Sequence, residues 1–358
     1  IISSGFSEIG KEGKLREEEL KRIIKNKKIR VIGPNVVGIY CPESKVDALF
    51  LSKEKLRRPK KGKVAIISQS GAVGSTILDL MAKNGFILAY FTGGEPSLNP
   101  DLVEMVKYAN KKEMVTSVTT NGTMSFKMLE ELNEAGLYVL SVSIDHWDSK
   151  ICDNIRRYSG IQRKEIELIK KARELGMRVY TLVYLNPYIM GKNIDRMIFY
   201  VNRKLGVPFS FCYPVVADVN TYNIGGEIRK FDEESLKETA YRIFYLKMKG
   251  AMIADAASYI EDIIRFHEGK PPNFYCRGGE YVFYVDWYGD FYPCFLRNKM
   301  FNVLDVNDKI KVIRNAKCND CLLNCFREPS IIASFPSPKF IFKELVYDRH
   351  LTIKEVII

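Results

Sequence analysis

Residues 86–96 have the sequence FILAYFTGGEP, an apolar run that ends in two glycines, a glutamate and a proline. The apolar run predicts a strand at 87–92, and the glycines let the backbone approach a ligand closely. A carboxylate held at a strand end can accept hydrogen bonds from an ammonium group. The same residues would also make an ordinary turn between a strand and a helix, so both interpretations stay open for this stretch alone.

From this stretch onward the chain alternates between strands and helices. Strands are predicted at 87–92, 114–120, 138–144, 178–184 and 208–214, and helices at 101–111, 125–135, 163–175, 192–204 and 233–249. Such alternation is typical of right-handed βαβ units and a parallel sheet. With a further strand at 64–67 and a helix at 73–83, the pattern predicts an α/β protein with a partial (β/α)6 barrel.

Polar residues follow three successive strands. They occupy 92–96 after the first strand, 120–123 (Thr-Asn-Gly-Thr) after the second and 143–146, beginning Ser-Ile-Asp, after the third. Active residues of parallel α/β folds lie at the carboxyl ends of the strands. These three segments are therefore predicted to form one site.

Composition and charge exclude several classes of protein. The chain has 358 residues, 46% of them hydrophobic and 27% charged, which allows a large core. The net charge of +12 is concentrated in residues 1–63, with 17 basic and 8 acidic residues against 38 and 35 in the rest, so it gives no strong indication of nucleic-acid binding. No apolar run is long enough for a membrane span, and we expect a cytoplasmic protein.

The pattern changes after about residue 270, where a β-hairpin is predicted at 281–286 and 291–292. Five of the eight cysteines follow this change: Cys276, Cys294, Cys318, Cys321 and Cys325. Clustered thiolates can hold an iron–sulfur cluster, with about four of them as ligands. Zinc is the main alternative, and disulfides are a third. Cys41 and Cys212 stand alone and are expected to be small buried apolar residues.

The segment from Phe91 to about residue 215 resembles the radical S-adenosylmethionine (SAM) family. The resemblance is carried by the motif at 93–96 and by the sequence CDNIR at 152–156, where the family often has His-Asp-x-x-Arg. It implies reductive cleavage of SAM to a 5′-deoxyadenosyl radical. It also implies SAM contacts from these residues: Gly93, Gly94, Glu95, Pro96, Asn121, Ser143 and Arg156. Cys152, in place of the family's histidine, is expected to be a core or surface cysteine.

The cysteine-rich segment is similar to the auxiliary-cluster extensions called SPASM or twitch domains. The likeness rests on Cys276-Arg-Gly-Gly, on the hairpin that ends Gly-Asp-Phe-Tyr-Pro-Cys294, and on the C-x2-C-x3-C spacing of 318–325. It implies an auxiliary [4Fe–4S] cluster. Five cysteines compete for four places, and we favour Cys276, Cys294, Cys321 and one of Cys318 or Cys325.

One expected motif is missing. A radical SAM enzyme needs a C-x3-C-x2-C loop some tens of residues before GGEP, and this chain has only Cys41 upstream. Three thiolates leave one iron of a [4Fe–4S] cluster open to SAM. The chain is therefore not expected to hold the catalytic cluster.

Residues 1 to about 86 instead resemble the α-type subunits of ADP-forming acetyl-CoA and succinyl-CoA synthetases. The likeness rests on SSGFSE at 3–8, IGPNVVG at 32–38 and GKVAIISQSGAVG at 62–74. The predicted parts are a CoA-synthetase-like fragment, a flavodoxin-like strand and helix, a radical SAM-like core, a cluster module and a tail. Their bounds are 1–62, 63–86, 87–265, 270–330 and 331–358.

Two classes of function follow from these resemblances. The first is a radical SAM-type iron–sulfur protein, an enzyme by resemblance, that acts on a small-molecule or peptide substrate with a reductant such as ferredoxin or flavodoxin. The second is a fragment of an NDP-forming acyl-CoA synthetase α subunit, or a metal-binding module without catalysis. The resemblances do not identify the substrate of either class.

Overall fold

A computed structural model of the protein describes residues 11–24, 38–41, 46–49, 80–81, 84–214, 231–286, 288–306 and 309–333. The chain divides into a unit of residues 1–61 and a unit of residues 62–358. In the first unit, helix α1 spans Lys11–Ile24, and strands β1 (Gly38–Cys41) and β2 (Val46–Leu49) pair antiparallel. The predicted strand at 64–67 and nearly all of the helix at 73–83 lie outside the described residues.

The second unit is organised around a five-stranded parallel sheet with the order β3-β4-β5-β6-β7. Its strands are β3 (Leu88–Phe91), β4 (Val115–Thr120), β5 (Val139–Ser143), β6 (Arg178–Tyr184) and β7 (Phe209–Cys212). Beyond β7, Ile253 forms a parallel bridge with Phe209 and extends the sheet by a short segment. The predicted parallel α/β architecture is confirmed, with strands slightly shorter than the apolar runs.

Helices connect these strands. They are α2 (Leu102–Lys111), α3 (Phe126–Glu134), α4 (Ser149–Arg156), α5 (Ile161–Glu174), α6 (Asn193–Phe199), α7 (Glu233–Met248) and α8 (Ala257–His267). Helix α6 continues as a π-helical turn at Tyr200–Leu205. The sequence did not predict α4, because its eight residues contain few apolar positions and its start depends on Asp148, whose carboxylate accepts hydrogen bonds from the first turn.

The two faces of the parallel sheet differ. One face packs fully buried apolar residues against the helices: Phe91, Val118, Leu140, Val142, Val183 and Phe211. The opposite face, which we call the inner face, carries half-buried and mostly polar residues: Tyr90, Ser143, Tyr180, Leu182, Tyr184 and Cys212. Alternation of side chains along each strand produces this division.

The sheet curves so that its two edges approach each other. Burial raises the pKa of Tyr90 on the edge strand β3, and Tyr180 of β6 and Asp255 beyond β7 raise it further. A residue on one edge can be influenced by a residue past the other edge only if the sheet bends around the inner face. The inner face is therefore concave, as in a partial barrel.

A small antiparallel sheet follows the parallel one in sequence. It has the order β10-β9-β8, with β8 at Tyr284–Val285, β9 at Asp290–Tyr292 and β10 at Phe301–Asn302, and helix α9 at Asn324–Ala333 follows it. The predicted hairpin is present, but β10 was not predicted because two residues carry no periodicity. None of the described helices has the length and apolar character needed to cross a membrane.

Candidate functional site

Glu95 joins the carboxyl ends of β3 and β4. Its side chain is almost fully buried, and its carboxylate accepts hydrogen bonds from the backbone N–H (3.1 Å) and the hydroxyl (2.6 Å) of Ser97. It also accepts hydrogen bonds from the hydroxyl of Thr120 (3.0 Å) and the backbone N–H of Asn121 (2.7 Å). Four donors thus fix the path of the loop after β3.

The glycines beside Glu95 leave the backbone of this loop open. Gly93 has φ of 146°, a conformation that favours glycine. A side chain at Gly94 would meet no atom within 4 Å, so free space lies over this part of the backbone. Pro96 starts a short 3-10 turn that turns the chain away from the sheet. A ligand can therefore approach the loop backbone at Gly93 and Gly94.

The other predicted contacts lie at neighbouring strand ends. Asn121 follows β4, and its side-chain oxygen accepts hydrogen bonds from the backbone N–H (3.0 Å) and hydroxyl (2.7 Å) of Thr123. Ser143 ends β5 and is half-buried on the inner face. Because β3, β4 and β5 are adjacent in the sheet, the structure brings the GGEP loop, Asn121 and Ser143 to one edge.

Arg156 lies at the end of α4 and is engaged by two carboxylates. Its Nε is 2.7 Å from Oδ2 of Asp145 and 3.7 Å from Oε1 of Glu165. Cys152 is fully buried, and its thiol lies 3.7 Å from Oε2 of Glu165. Cys152 is therefore a core residue. A SAM contact from Arg156 would compete with these ion pairs and stays a prediction.

The buried carboxyl of Glu165 predicts a pH dependence of stability. Burial raises its pKa from 4.5 to about 8, despite the nearby Arg156. Because the folded chain holds this proton more tightly than the unfolded chain, the free energy of unfolding should fall between pH 4.5 and 8. The slope should reach about 1.4 kcal/mol per pH unit. In Glu165→Gln this decline should be largely absent in urea unfolding at pH 5, 6, 7 and 8, whereas an unchanged slope would contradict the assignment.

Four of the five C-terminal cysteines gather in one place. Cys276 and Cys318 form an antiparallel backbone bridge, with N–H to carbonyl distances of 2.9 and 3.2 Å. Cys294, at the turn after β9, and Cys321, before α9, pack with them around Leu323 and Phe326. The pKa values of Cys276, Cys294 and Cys321 are raised, first by burial and then by neighbouring thiols. The structure thus favours Cys318 over Cys325 as the fourth member.

Backbone amides two residues later lower the pKa of three thiols in this group, and one of these amides donates a hydrogen bond to its sulfur. The amide of Leu296 lies 3.4 Å from the sulfur of Cys294, and the amides of Gly278 and Leu323 likewise lower the pKa of Cys276 and Cys321. On the fourth sulfur, the guanidinium of Arg297 lies 3.8 Å from Cys318. Such donors favour the thiolate form, which is the form that ligates metals.

Two small residues shape this cysteine group. A Cβ at Gly278 would stand 2.6 Å from the carbonyl oxygen of Pro293, and Gly279 has φ of 82°. The Gly-Gly pair after Cys276 therefore lets the 276–279 strand approach the segment that carries Cys294. The buried guanidinium of Arg327 donates to the carbonyl of Cys318 at 3.4 Å and lies 3.6 Å from the carboxylate of Asp262, and its charge lowers the pKa of Cys276.

The remaining cysteines lie outside this group. Cys325 has accessible surface, yet burial raises the pKa of its thiol, and the neighbouring thiol with the largest effect is that of Cys212. Cys212 is half-buried on the inner face, not a fully buried core residue as predicted. The side chain of Cys41 lies outside the described residues.

The described cysteines do not form a finished metal site. Among the described residues, no three His, Cys, Asp or Glu side chains stand where they could already hold a metal ion. The thiols around Cys276 would have to move closer together, and metal binding commonly orders such small modules. By chemistry, four thiolates suit an iron–sulfur cluster or zinc, once they have moved together. The catalytic cluster does not fit, because the sequence supplies only Cys41 before GGEP.

A model of the radical SAM superfamily matches residues 76–198, a range that contains GGEP and the ends of β3, β4 and β5. This part of the chain is similar to the radical SAM superfamily. PqqA peptide cyclase of Bradyrhizobium diazoefficiens is 32% identical over 102 residues, which are 28% of this chain and 27% of that protein. Human molybdenum cofactor biosynthesis protein 1 is 34% identical over 136 residues, 37% of this chain and 21% of that protein.

A third relative comes from a different family. The alpha subunit of ADP-forming acetate–CoA ligase II of Pyrococcus furiosus is 37% identical over 108 residues, 30% of this chain and 22% of that protein. Part of this chain is therefore similar to the CoA ligase α subunits, in support of the predicted fragment. The chain spans about a quarter of the length of each of these three curated relatives.

Two solved structures share the fold. Streptococcus suis SuiB has a TM-score of 0.51 and 17% identity over 78% of this chain and 69% of its own. The enzyme anSMEcpe, solved with AdoMet and a Cp18Cys peptide, has a TM-score of 0.52 and 14% identity over 68% of this chain and 77% of its own. At these identities the likeness shows the α/β fold alone.

Some residues of interest were not predicted. Asp255, Tyr90 and Tyr180 line the inner face, and Arg327 lies under the cysteine group. Alternate tyrosines at 180 and 184 in the strand RVYTLVY indicated a polar face and could have been noticed. Asp255 and Arg327 carry no pattern, because their positions depend on tertiary packing.

Proposed function

We propose that this chain is a radical SAM-type iron–sulfur protein with an auxiliary [4Fe–4S] cluster and a SAM-binding edge. The cluster ligands are Cys276, Cys294, Cys318 and Cys321. The observation that supports this most is the gathering of four thiols around Leu323 and Phe326, where the amide of Leu296 donates to the sulfur of Cys294 and the guanidinium of Arg297 lies 3.8 Å from that of Cys318. Neutral thiols in a core need no such donors, whereas cluster sulfurs commonly receive them.

SAM would lie across the ends of β3, β4 and β5. The residues that would hold it are Gly93, Gly94, Glu95, Pro96, Asn121 and Ser143. Glu95 positions the loop through its four donors, and the space over Gly94 admits the methionine end of the ligand. In intact relatives a catalytic cluster supplies the electron that cleaves SAM. Since this chain lacks the ligands for that cluster, we propose that it binds SAM without cleaving it.

Measurements of SAM binding and of SAM cleavage distinguish this proposal from the alternatives. After anaerobic reconstitution with iron and sulfide, the protein should bind SAM in equilibrium dialysis. With dithionite it should form no 5′-deoxyadenosine above a protein-free control. Gly94→Val, which fills the open space in the loop, should weaken SAM binding at least about tenfold. Formation of 5′-deoxyadenosine would show that a catalytic cluster is assembled after all, and absence of SAM binding would refute the SAM-binding edge.

A peptide substrate and a protein reductant complete the proposal. The names of PqqA peptide cyclase and of SuiB bound to the precursor peptide SuiA both concern peptides, which favours a peptide over a small molecule. A ferredoxin or flavodoxin would exchange electrons with the auxiliary cluster.

The likeness to ADP-forming acetate–CoA ligase favours a second candidate, a fragment of an acyl-CoA synthetase α subunit. This candidate ranks lower because the CoA-binding glycine loop and the catalytic histidine region expected of that family have no counterpart in the sequence. Incubation with labelled ATP distinguishes the two. We expect no acid-labile phosphate on the chain, and its detection would favour the synthetase fragment.

A further inference from the structure

Asp255 carries a buried oxygen atom that no described residue satisfies. The residue lies between the segment that pairs with β7 and helix α8, and only 1% of it is exposed. Its Oδ1 accepts hydrogen bonds from the hydroxyl of Ser210 at 3.0 Å and the amide of Phe211 at 3.5 Å. Its Oδ2 has no hydrogen-bond partner among the described residues. A buried carboxylate oxygen without a hydrogen-bond donor destabilises the folded protein. A donor group on a bound ligand would restore the lost free energy.

The position of Asp255 relates it to the proposed SAM edge. Ser210, which holds Asp255, is the register partner of Leu182 in β6, and Leu182 is the register partner of Ser143 in β5. Since neighbouring strands are about 4.8 Å apart, Ser210 lies roughly 10 Å across the sheet from Ser143. Asp255, which Ser210 holds, therefore lies level with the proposed SAM edge. Along the inner face it is about the width of one small molecule away from that edge.

Two tyrosines stand near this carboxylate. Burial raises the pKa of Tyr90 and of Tyr180, and Asp255 contributes to both increases. Both phenols therefore stay neutral, and the face of a neutral tyrosine ring attracts cations. Ser117, the register partner of Tyr90, also has a buried hydroxyl without a hydrogen-bond partner in the described part of the chain. The inner face thus carries polar and aromatic groups, and some of its buried polar atoms have no hydrogen-bond partner among the described residues.

One cation, Lys247, acts on Asp255 among the described titratable groups around it. The titratable groups around it are Lys247 of α7, Cys212 of β7, Glu328 of α9, and Tyr90, Tyr180 and Tyr259. The ammonium of Lys247 donates to the carbonyl of Ile253 at 2.8 Å, and Glu328 accepts from the amide of Ala256 at 2.8 Å. Burial raises the pKa of Asp255 to about 7, even though Ser210, Phe211 and Lys247 act in the opposite direction.

We propose that Asp255, Tyr90 and Tyr180 form a subsite for an organic cation, a primary ammonium or guanidinium group carried by the substrate. The free Oδ2 would accept the hydrogen bond of the cation, and the two rings would face its charge. This inference rests on the proposed function, because it takes the inner face to be where the substrate lies beside SAM.

The test uses n-butylammonium chloride as the cationic probe and n-butanol as its neutral counterpart. Dissociation constants are measured on the full chain by saturation-transfer NMR titration at pH 8. Wild-type protein should bind the cation at least about tenfold more tightly than butanol, and Asp255→Asn should remove this preference. Glu104→Gln, which alters an exposed carboxylate of α2, should bind like wild type. Binding at pH 6 should be roughly tenfold weaker than at pH 8, because a carboxyl with pKa about 7 is then mostly protonated.

A second variant keeps the test decisive if Asp255→Asn fails to fold. Tyr180→Leu removes a ring and should weaken cation binding about threefold or more, whereas Tyr180→Phe should retain it. Equal binding of butylammonium and butanol to wild type, or full cation binding in both Asp255→Asn and Tyr180→Leu, would overturn the subsite. SAM binding is measured in the same samples. Cation binding without SAM binding would refute the proposed function alone, and SAM binding without cation preference would refute the subsite alone.

Discussion

Replacing Cys294 by serine is expected to remove nearly all of the iron that reconstituted wild-type protein retains, together with its brown colour. Cys294 is one of four thiols that pack around Leu323 and Phe326, and its sulfur accepts a hydrogen bond from the amide of Leu296. A cluster that loses one of four thiolates is rarely retained in a small module. Cys321→Ser should have the same effect. The measurements are iron content by mass spectrometry and visible absorbance after anaerobic desalting.

The chain offers matched controls for this experiment. Cys325 follows Cys321 in the sequence but is not part of the group that packs around Leu323, and Cys212 lies on the inner face. The three control variants are Cys325→Ser, Cys212→Ser and Cys41→Ser. All three should keep the iron of the wild type. Loss of iron in Cys325→Ser with retention in Cys318→Ser would show that Cys325 is the fourth ligand. Full iron in Cys294→Ser would refute the whole ligand set.

Replacing Glu95 by alanine should lower the free energy of unfolding by about 3 kcal/mol, because buried donors at the ends of β3 and β4 lose their shared acceptor. The affected donors are the amides of Ser97 and Asn121 and the hydroxyls of Ser97 and Thr120. The effect is measured by urea unfolding followed by circular dichroism. SAM binding should be lost as well, since the loop that Glu95 fixes is the proposed ligand edge.

Two substitutions calibrate this result. Glu95→Gln keeps one acceptor oxygen and should fall between wild type and alanine. Glu104→Ala, at an exposed carboxylate of α2, should change the free energy of unfolding by less than about 0.5 kcal/mol. If Glu95→Ala lowered the free energy of unfolding by no more than Glu104→Ala does, the hydrogen bonds to Glu95 would not be what fixes this loop.

The sequence predicted most of the parallel sheet, for reasons that the structure makes clear. Parallel strands such as Val139–Ser143 (VLSVS) and Arg178–Tyr184 (RVYTLVY) lie between helices and are rich in valine, leucine or tyrosine, so local composition marks them. Short elements such as Phe301–Asn302 were missed because their pairing depends on distant partners. The strand at 64–67 stays a prediction, since it lies outside the described residues.

The sequence predicted the candidate site only where it contains a motif whose chemistry is known. The GGEP loop and the cysteines could be named from spacing, but the choice of Cys318 over Cys325 required the backbone bridge to Cys276. The ion pairs of Arg156 were not predictable, because Asp145 and Glu165 meet it only after α4 and α5 have packed. The position of Asp255 at the inner face was not predictable either, because it depends on the curvature of the sheet.

The central claim is that this chain carries one iron–sulfur cluster, in the cysteine module, and none at the barrel edge. The most direct test is the iron and acid-labile sulfide content of wild-type protein after anaerobic reconstitution and desalting. We expect about four iron and four sulfide per chain. About eight of each would show a second cluster at the barrel edge, and a colourless protein with one zinc and no sulfide would show that the four thiols form a structural zinc site instead.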